Sequence, residues 1–141
     1  MEYRKLGSNK ILVRIARGEE IMKSLVALCA GEGIRSAWIT GIGATGDATV
    51  GLYQQAEKGY HKKSFTGDYE ITSLIGDVTF KDGALFAHCH VTLADNDLSV
   101  HGGHLYSAVV SATFEGMMEV IEEGITRFSD EETGLHLLRL S

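Results

Sequence analysis

The apolar positions of the chain repeat with two periods. Tyr3–Leu6 and Lys10–Ile15 alternate as short strands, and Gly7-Ser8-Asn9 between them is a hairpin-like turn. Gly18 breaks that pattern. From Glu19 onward the apolar residues fall at Ile21, Met22, Leu25, Val26, Leu28 and Cys29, which is helical spacing. Acidic residues at its start suit the helix dipole, and Gly31 and Gly33 are stop signals.

Beyond the helix the pattern is of strands. Ile34–Ile42 precedes Gly43 and Gly46, Ala48–Gln54 follows them, and Tyr60–Thr66 is shorter and more basic. Tyr69–Phe80 and Ala84–Ala94 flank Lys81-Asp82-Gly83, where Asp-Gly is a strong hairpin signal. Leu98–His101 and Leu105–Thr113 bracket Gly102-Gly103. Phe114–Glu123 fits helix or strand and is read as strand; Ile125–Phe128 and Leu135–Leu140 finish the chain. One main N-terminal helix among many hairpin-linked strands predicts an α+β fold with a largely antiparallel β-sheet. Without repeats, low-complexity stretches or a linker, a single compact domain over 3–140 is expected.

Composition narrows the function. The chain has 141 residues, 44% hydrophobic and 23% charged, enough for one sizeable core and far from a disordered composition. No apolar run reaches the ~18 residues of a membrane span, and the polar start predicts no signal peptide. A cytoplasmic setting with reduced thiols follows as an expectation, with Cys29 and Cys89 buried and inert. The net charge of −6 disfavours a polyanion binder. It is uneven, however: residues 1–35 carry seven basic and four acidic side chains, a local +3. Arg4, Lys5, Lys10, Arg14 and Arg17 are thus the candidate DNA-facing residues, with Lys58, Lys62 and Lys63 a second set.

The chemistry concentrates in histidines. In a strand, His88 and His90 share one face and Cys89 points to the other. Their Cα atoms are then about 6.5–7 Å apart, close enough for two imidazoles to meet one metal ion. A hairpin through Asp95-Asn96-Asp97 would fold Leu98–Leu105 back beside them and bring His104 to the same place, with Gly102-Gly103 allowing close approach. Three neutral imidazoles suit a divalent metal, zinc above all, with a fourth position open. His101 is expected on another face, and His61 and His136 read as structural or solvated. Glu115 and Glu119 are candidate acid/base groups or partners of the histidines. Gly41 to Gly46 spells G-x-G-x-x-G, but a strand-like segment follows instead of the helix that a dinucleotide site needs, so that reading is rejected.

These segments together resemble one family. Gly41-Ile42-Gly43-Ala44 with Gly51-Leu52-Tyr53, Tyr69–Gly76, His88–Ala94, Gly102-Gly103-His104-Leu105 and Arg127–Leu135 match, in order, the plants and prokaryotes conserved (PPC) domain. The resemblance implies a compact α+β domain that assembles as a homotrimer. It also implies a metal site at His88, His90 and His104, and no role for His101. Prokaryotic members often carry a DNA-binding label, while the plant members bind A·T-rich minor groove through AT-hooks beside the domain. This sequence has no Pro and no Arg-Gly-Arg-Pro core. The expectation is a homotrimeric module with a three-histidine metal or small-ligand site. The alternatives are DNA binding, opposed by the charge, and a metal-dependent hydrolase or hydratase.

Overall fold

The computed structural model describes residues 1–141. The elements run β1 (Glu2–Leu6), β2 (Lys10–Ala16), α1 (Ile21–Glu32), β3 (Ser36–Gln54), β4 (Gly59–Lys81), β5 (Ala84–Ala94), β6 (Val100–Ile121), β7 (Thr126–Ser129) and β8 (His136–Arg139). All strands join one sheet, antiparallel but for a single parallel bridge between Phe80 of β4 and Thr126 of β7. The α+β expectation holds.

Four strands close a circuit of pairings, β3 with β4, β4 with β5, β5 with β6 and β6 with β3. The β5–β6 pairing covers only His90–Ala94 against Val100–His104. Past His104, β6 continues along β3, leaving the start of β5 unpaired on that side. α1 packs beside this opening.

The three long strands differ from the expected shorter segments. Ile34–Ile42 and Ala48–Gln54 are one strand, Tyr60–Thr66 and Tyr69–Phe80 another, and Val100 to Ile121 a third. Their internal glycines do not end strands. Register shifts between Gly41 and Gly43, and between Thr45 and Asp47, let β3 bend while it stays paired. Gly43 is also pressed against β6: a Cβ there would meet Thr113 O at 2.3 Å.

α1 begins at Ile21, two residues later than its acidic start suggests. Glu20 is the N-cap, accepting from the backbone N–H of Met22 and Lys23, so the acid lies at the cap and not in the first turn. Glu20 also accepts from the Ala108 N–H, which fastens the helix to β6. Gly33 ends α1 at φ 67°, a left-handed conformation that glycine adopts without penalty. The face formed by Ile21, Leu25, Leu28 and Cys29 is buried against the sheet. Cys29 and Cys89 are buried there, and burial pushes their thiols up to about 11 and about 12.

Candidate metal centre

Strand register assembles the cluster. His90 of β5 stands directly opposite His104 of β6, and His88 lies two residues along β5 on the same face. One ligand-capable ring nitrogen from each of the three lies within 4.8 Å of the others. Tetrahedral zinc at about 2.0–2.1 Å from each nitrogen sets them ~3.4 Å apart, so small rotations of the rings would complete the site. Close backbone packing makes this possible. A Cβ on Gly103 would stand 2.6 Å from Gly51 O, and one on Gly76 would stand 2.2 Å from His88 O.

Two of the rings, His90 and His104, are held toward the neutral, lone-pair-bearing form. Burial pushes His104 down to about 4, with the nearby His88 and His90 adding to the effect. Burial also lowers His90, again helped by His88. Nδ1 of His104 is buried and has no hydrogen-bond partner. A buried polar atom left unpaired carries a penalty of about 1–3 kcal/mol. Three converging imidazoles, two of them held neutral by burial and one with an orphaned nitrogen, fit a divalent cation of the zinc type.

Behind His88 lies a polar network that the sequence reading did not single out. Asp77 of β4 is opposite His88 in register, and its carboxylate is 3.8 Å from His88 Nδ1. Arg127 of β7 donates from Nη2 to both Asp77 oxygens at 2.8 Å and lies 3.3 Å from His88 Nδ1. Its Nε donates to Thr79 Oγ1, Thr79 donates to Asp77 Oδ1, and its Nη1 donates to His136 O. Burial pushes the Asp77 carboxyl upward, but the neighbouring His88, hydrogen bonds from Arg127 and Thr79 and the charge of Arg127 outweigh it, so the group is held low. The sequence signal was present: Asp77 is a lone acid in the apolar run Leu74–Phe80, and Arg127 falls in a segment that carried the family resemblance.

Aromatic rings line the other side. Tyr60 and Tyr106 pack 4.8 and 4.9 Å from the His104 ring, and Lys62 Nζ sits 3.7 Å over Tyr106. His101 turns away and bonds Asp95 through Nε2 at 2.9 Å, in keeping with its expected separate face.

The two glutamates are not brought to the histidines. Glu115 and Glu119 lie far along β6, exposed, opposite Arg14 and Lys10 of β2, and Glu119 accepts from Asn9. β6 runs on as one continuous strand, which carries them to the opposite end of the sheet. The basic candidates Arg4, Lys5, Lys10, Arg14 and Arg17 are exposed on and just beyond the β1–β2 hairpin. Acids are interleaved with them: Arg14 pairs with Glu2, and Lys5 with Glu32.

The outer sheet face carries exposed apolar side chains. A cross-strand row runs Leu12, Met117, Thr40, Ile75 and His90. Leu12 is 46% exposed, Ile75 45%, and Ile42 beside the row 61%.

Among solved structures, a protein from Bacteroides thetaiotaomicron, described as a putative DNA-binding protein, is 35% identical with a TM-score of 0.93, covering 98% of this chain and 96% of that one. A plant- and prokaryote-conserved protein from Pyrococcus horikoshii is 34% identical (TM-score 0.86, 96% and 97% covered). A protein from Archaeoglobus fulgidus described as metal-containing is 35% identical (TM-score 0.85, 97% of each chain). No curated protein matches the chain. The family model of the Plants and Prokaryotes Conserved (PCC) domain, abbreviated PPC above, matches residues 4–122, and with that span and these likenesses the chain belongs to this family.

Proposed function

We propose that the protein is a self-associating binding module, a homotrimer, in which His88, His90 and His104 hold a divalent metal, most simply zinc. The observation that carries this reading is the meeting of three imidazoles, one of which, His104, has a buried and unpartnered Nδ1. The metal-containing description of the relative from Archaeoglobus fulgidus supports it. In such a site the metal supplies a Lewis-acid position open to a ligand. Asp77 orients His88 from behind, as carboxylates commonly orient metal-bound imidazoles.

Self-association is supported by the exposed apolar row that ends at His90, because a face of this kind is ordinarily covered by a partner. Binding is favoured over hydrolysis. Asp77 is the one acid lining the space beside the histidines and is engaged by Arg127, while Glu115 and Glu119 lie elsewhere, so no free carboxylate stands ready as a general base. DNA binding, the description carried by the relative from Bacteroides thetaiotaomicron, is disfavoured by the acids interleaved among the basic residues of β1 and β2.

The test is metal analysis together with the mass in solution. Purified protein reloaded with zinc should retain one ion per chain after gel filtration and run at three times the chain mass. His90→Ala and His104→Ala should lose the ion. Zinc retained by the double variant would overturn the assignment of the site, and a monomer at micromolar concentration would overturn the trimer.

A further inference from the structure

The histidine cluster opens on a cavity of about 1040 Å³. That is at the upper end of the ~300–1,000 Å³ of small-molecule sites. His88 and His104 stand at one side of it, α1 contributes Val26, β5 contributes Phe86, and Leu135 and Leu137 come from the C-terminal segment. This last wall is fastened in place. Arg127 holds it to Asp77, Tyr53 donates its hydroxyl to Thr133 O, and Lys58 Nζ donates to Glu131 O.

The charge around the cavity runs against that of the chain. The whole protein is −6, yet the cavity is lined by Lys23, Lys58, Lys81 and Arg127 against the single acid Asp77. Arg127 and Asp77 balance each other, and none of the three lysines is in an ion pair. A space with apolar walls and unbalanced positive charge selects a ligand that is apolar over most of its surface and anionic at one end. The kind of anion follows from the donors. Phosphate recognition favours a free guanidinium fork or an open helix N-terminus. Here the fork is engaged on Asp77, and the α1 N-terminus is filled by the Glu20 carboxylate. What remains is lysine point charges, which attract either anion, and the open position of a three-histidine metal, which takes carboxylate oxygen as a ligand.

We propose that this cavity receives an amphipathic monocarboxylate, its carboxylate directed to the metal and favoured by the positive charge of the lysines on the cavity wall, its apolar body against Val26, Phe86 and Leu137. The anionic end of the assignment rests on the metal reading above; the apolar end does not.

The probe is 4-phenylbutyrate, titrated calorimetrically into zinc-loaded protein beside acetate, 4-phenylbutanol and 4-phenylbutylamine. Saturable binding is expected, at least tenfold tighter for phenylbutyrate than for the other three. Leu137→Glu, at a position already 37% exposed, should weaken it at least tenfold at unchanged zinc content. Stoichiometric zinc without phenylbutyrate binding would overturn the proposal and leave the metal site standing. Equal binding of the alcohol or the amine, or an unaffected Leu137→Glu variant, would also overturn it. Equally tight phenylbutyrate binding to zinc-free protein would overturn it as well.

Discussion

Arg127 and Asp77, fifty residues apart in sequence, form a buried ion pair in which one guanidinium nitrogen reaches both carboxylate oxygens at 2.8 Å. The pair joins β7 to the C-terminal end of β4, and His88 stands on the same two groups. It therefore links three things: the closure of the sheet by its last hairpin, the wall of the cavity, and the orientation of a candidate metal ligand.

Removing one partner should be costly. Asp77→Ala leaves Arg127 buried without its counter-charge, a change that typically destabilises by about 3–5 kcal/mol. Asp77→Asn keeps the shape and some hydrogen bonding, so it should fold better while still losing about 10–100-fold in zinc affinity through the loosened His88. Urea unfolding of the metal-free proteins and zinc competition with a chelator measure the two effects separately. An Asn variant with unchanged zinc affinity would show that Asp77 serves the fold alone.

Acid should weaken the metal-free protein early. His104 is held down to about 4 in the folded state against about 6.5 when unfolded. Between those values the unfolded chain binds the proton and the folded chain does not, so stability is lost as pH falls through that window. Taken fully, a shift of this size is worth about 3 kcal/mol. His90, also lowered, acts in the same direction. The urea midpoint of metal-free protein should fall from pH 7 to pH 4.5, and less steeply for His104→Gln. A flat profile would contradict the buried neutral imidazole.

Two glycines make a paired test of close strand approach. Gly76→Ala sets a Cβ 2.2 Å from the His88 carbonyl oxygen, so β4 and β5 must part beside this candidate ligand. It should destabilise by about 1–3 kcal/mol or more and lower zinc retention. Gly46→Ala meets Ser111 Cβ at 3.5 Å, an ordinary contact, and should be neutral to slightly stabilising. Thermal melts of the two variants decide it; equal effects would refute the packing argument.

The basic residues of the β1–β2 hairpin give a last expectation. With Glu2, Glu32, Glu115 and Glu119 set among them, they make no continuous positive strip. Fluorescence anisotropy against a labelled duplex at about 50 mM salt should show no saturable binding. Tight binding with a steep salt dependence would restore the nucleic-acid reading.

Much of this was legible in the residues. The apolar period of 3.6 marked α1, and the period of two placed His88 and His90 on one face of a strand whose ends, Ala84 and Ala94, are as expected. The Asp95–Asp97 turn brought His104 beside them by local geometry alone. The glycine punctuation was less reliable. Gly43, Gly46 and Gly102 read as breaks, yet long strands run through all three. In an isolated sequence, a glycine that turns the chain and one that admits a neighbouring backbone look alike.

Composition and short-range pattern suffice for the class of fold, the helix, the metal-suited histidines and the acidic balance, because these depend on residues close together in the chain or on residue counts. Long-range strand pairing is what brings Asp77 to Arg127, keeps Glu115 and Glu119 from the histidines, and sets lysines on the wall of an apolar cavity. Those relations depend on how far each strand continues before it bends and on which strand it then meets. Backbone register across the sheet sets both, through contacts between residues tens of positions apart that no local pattern of side chains encodes.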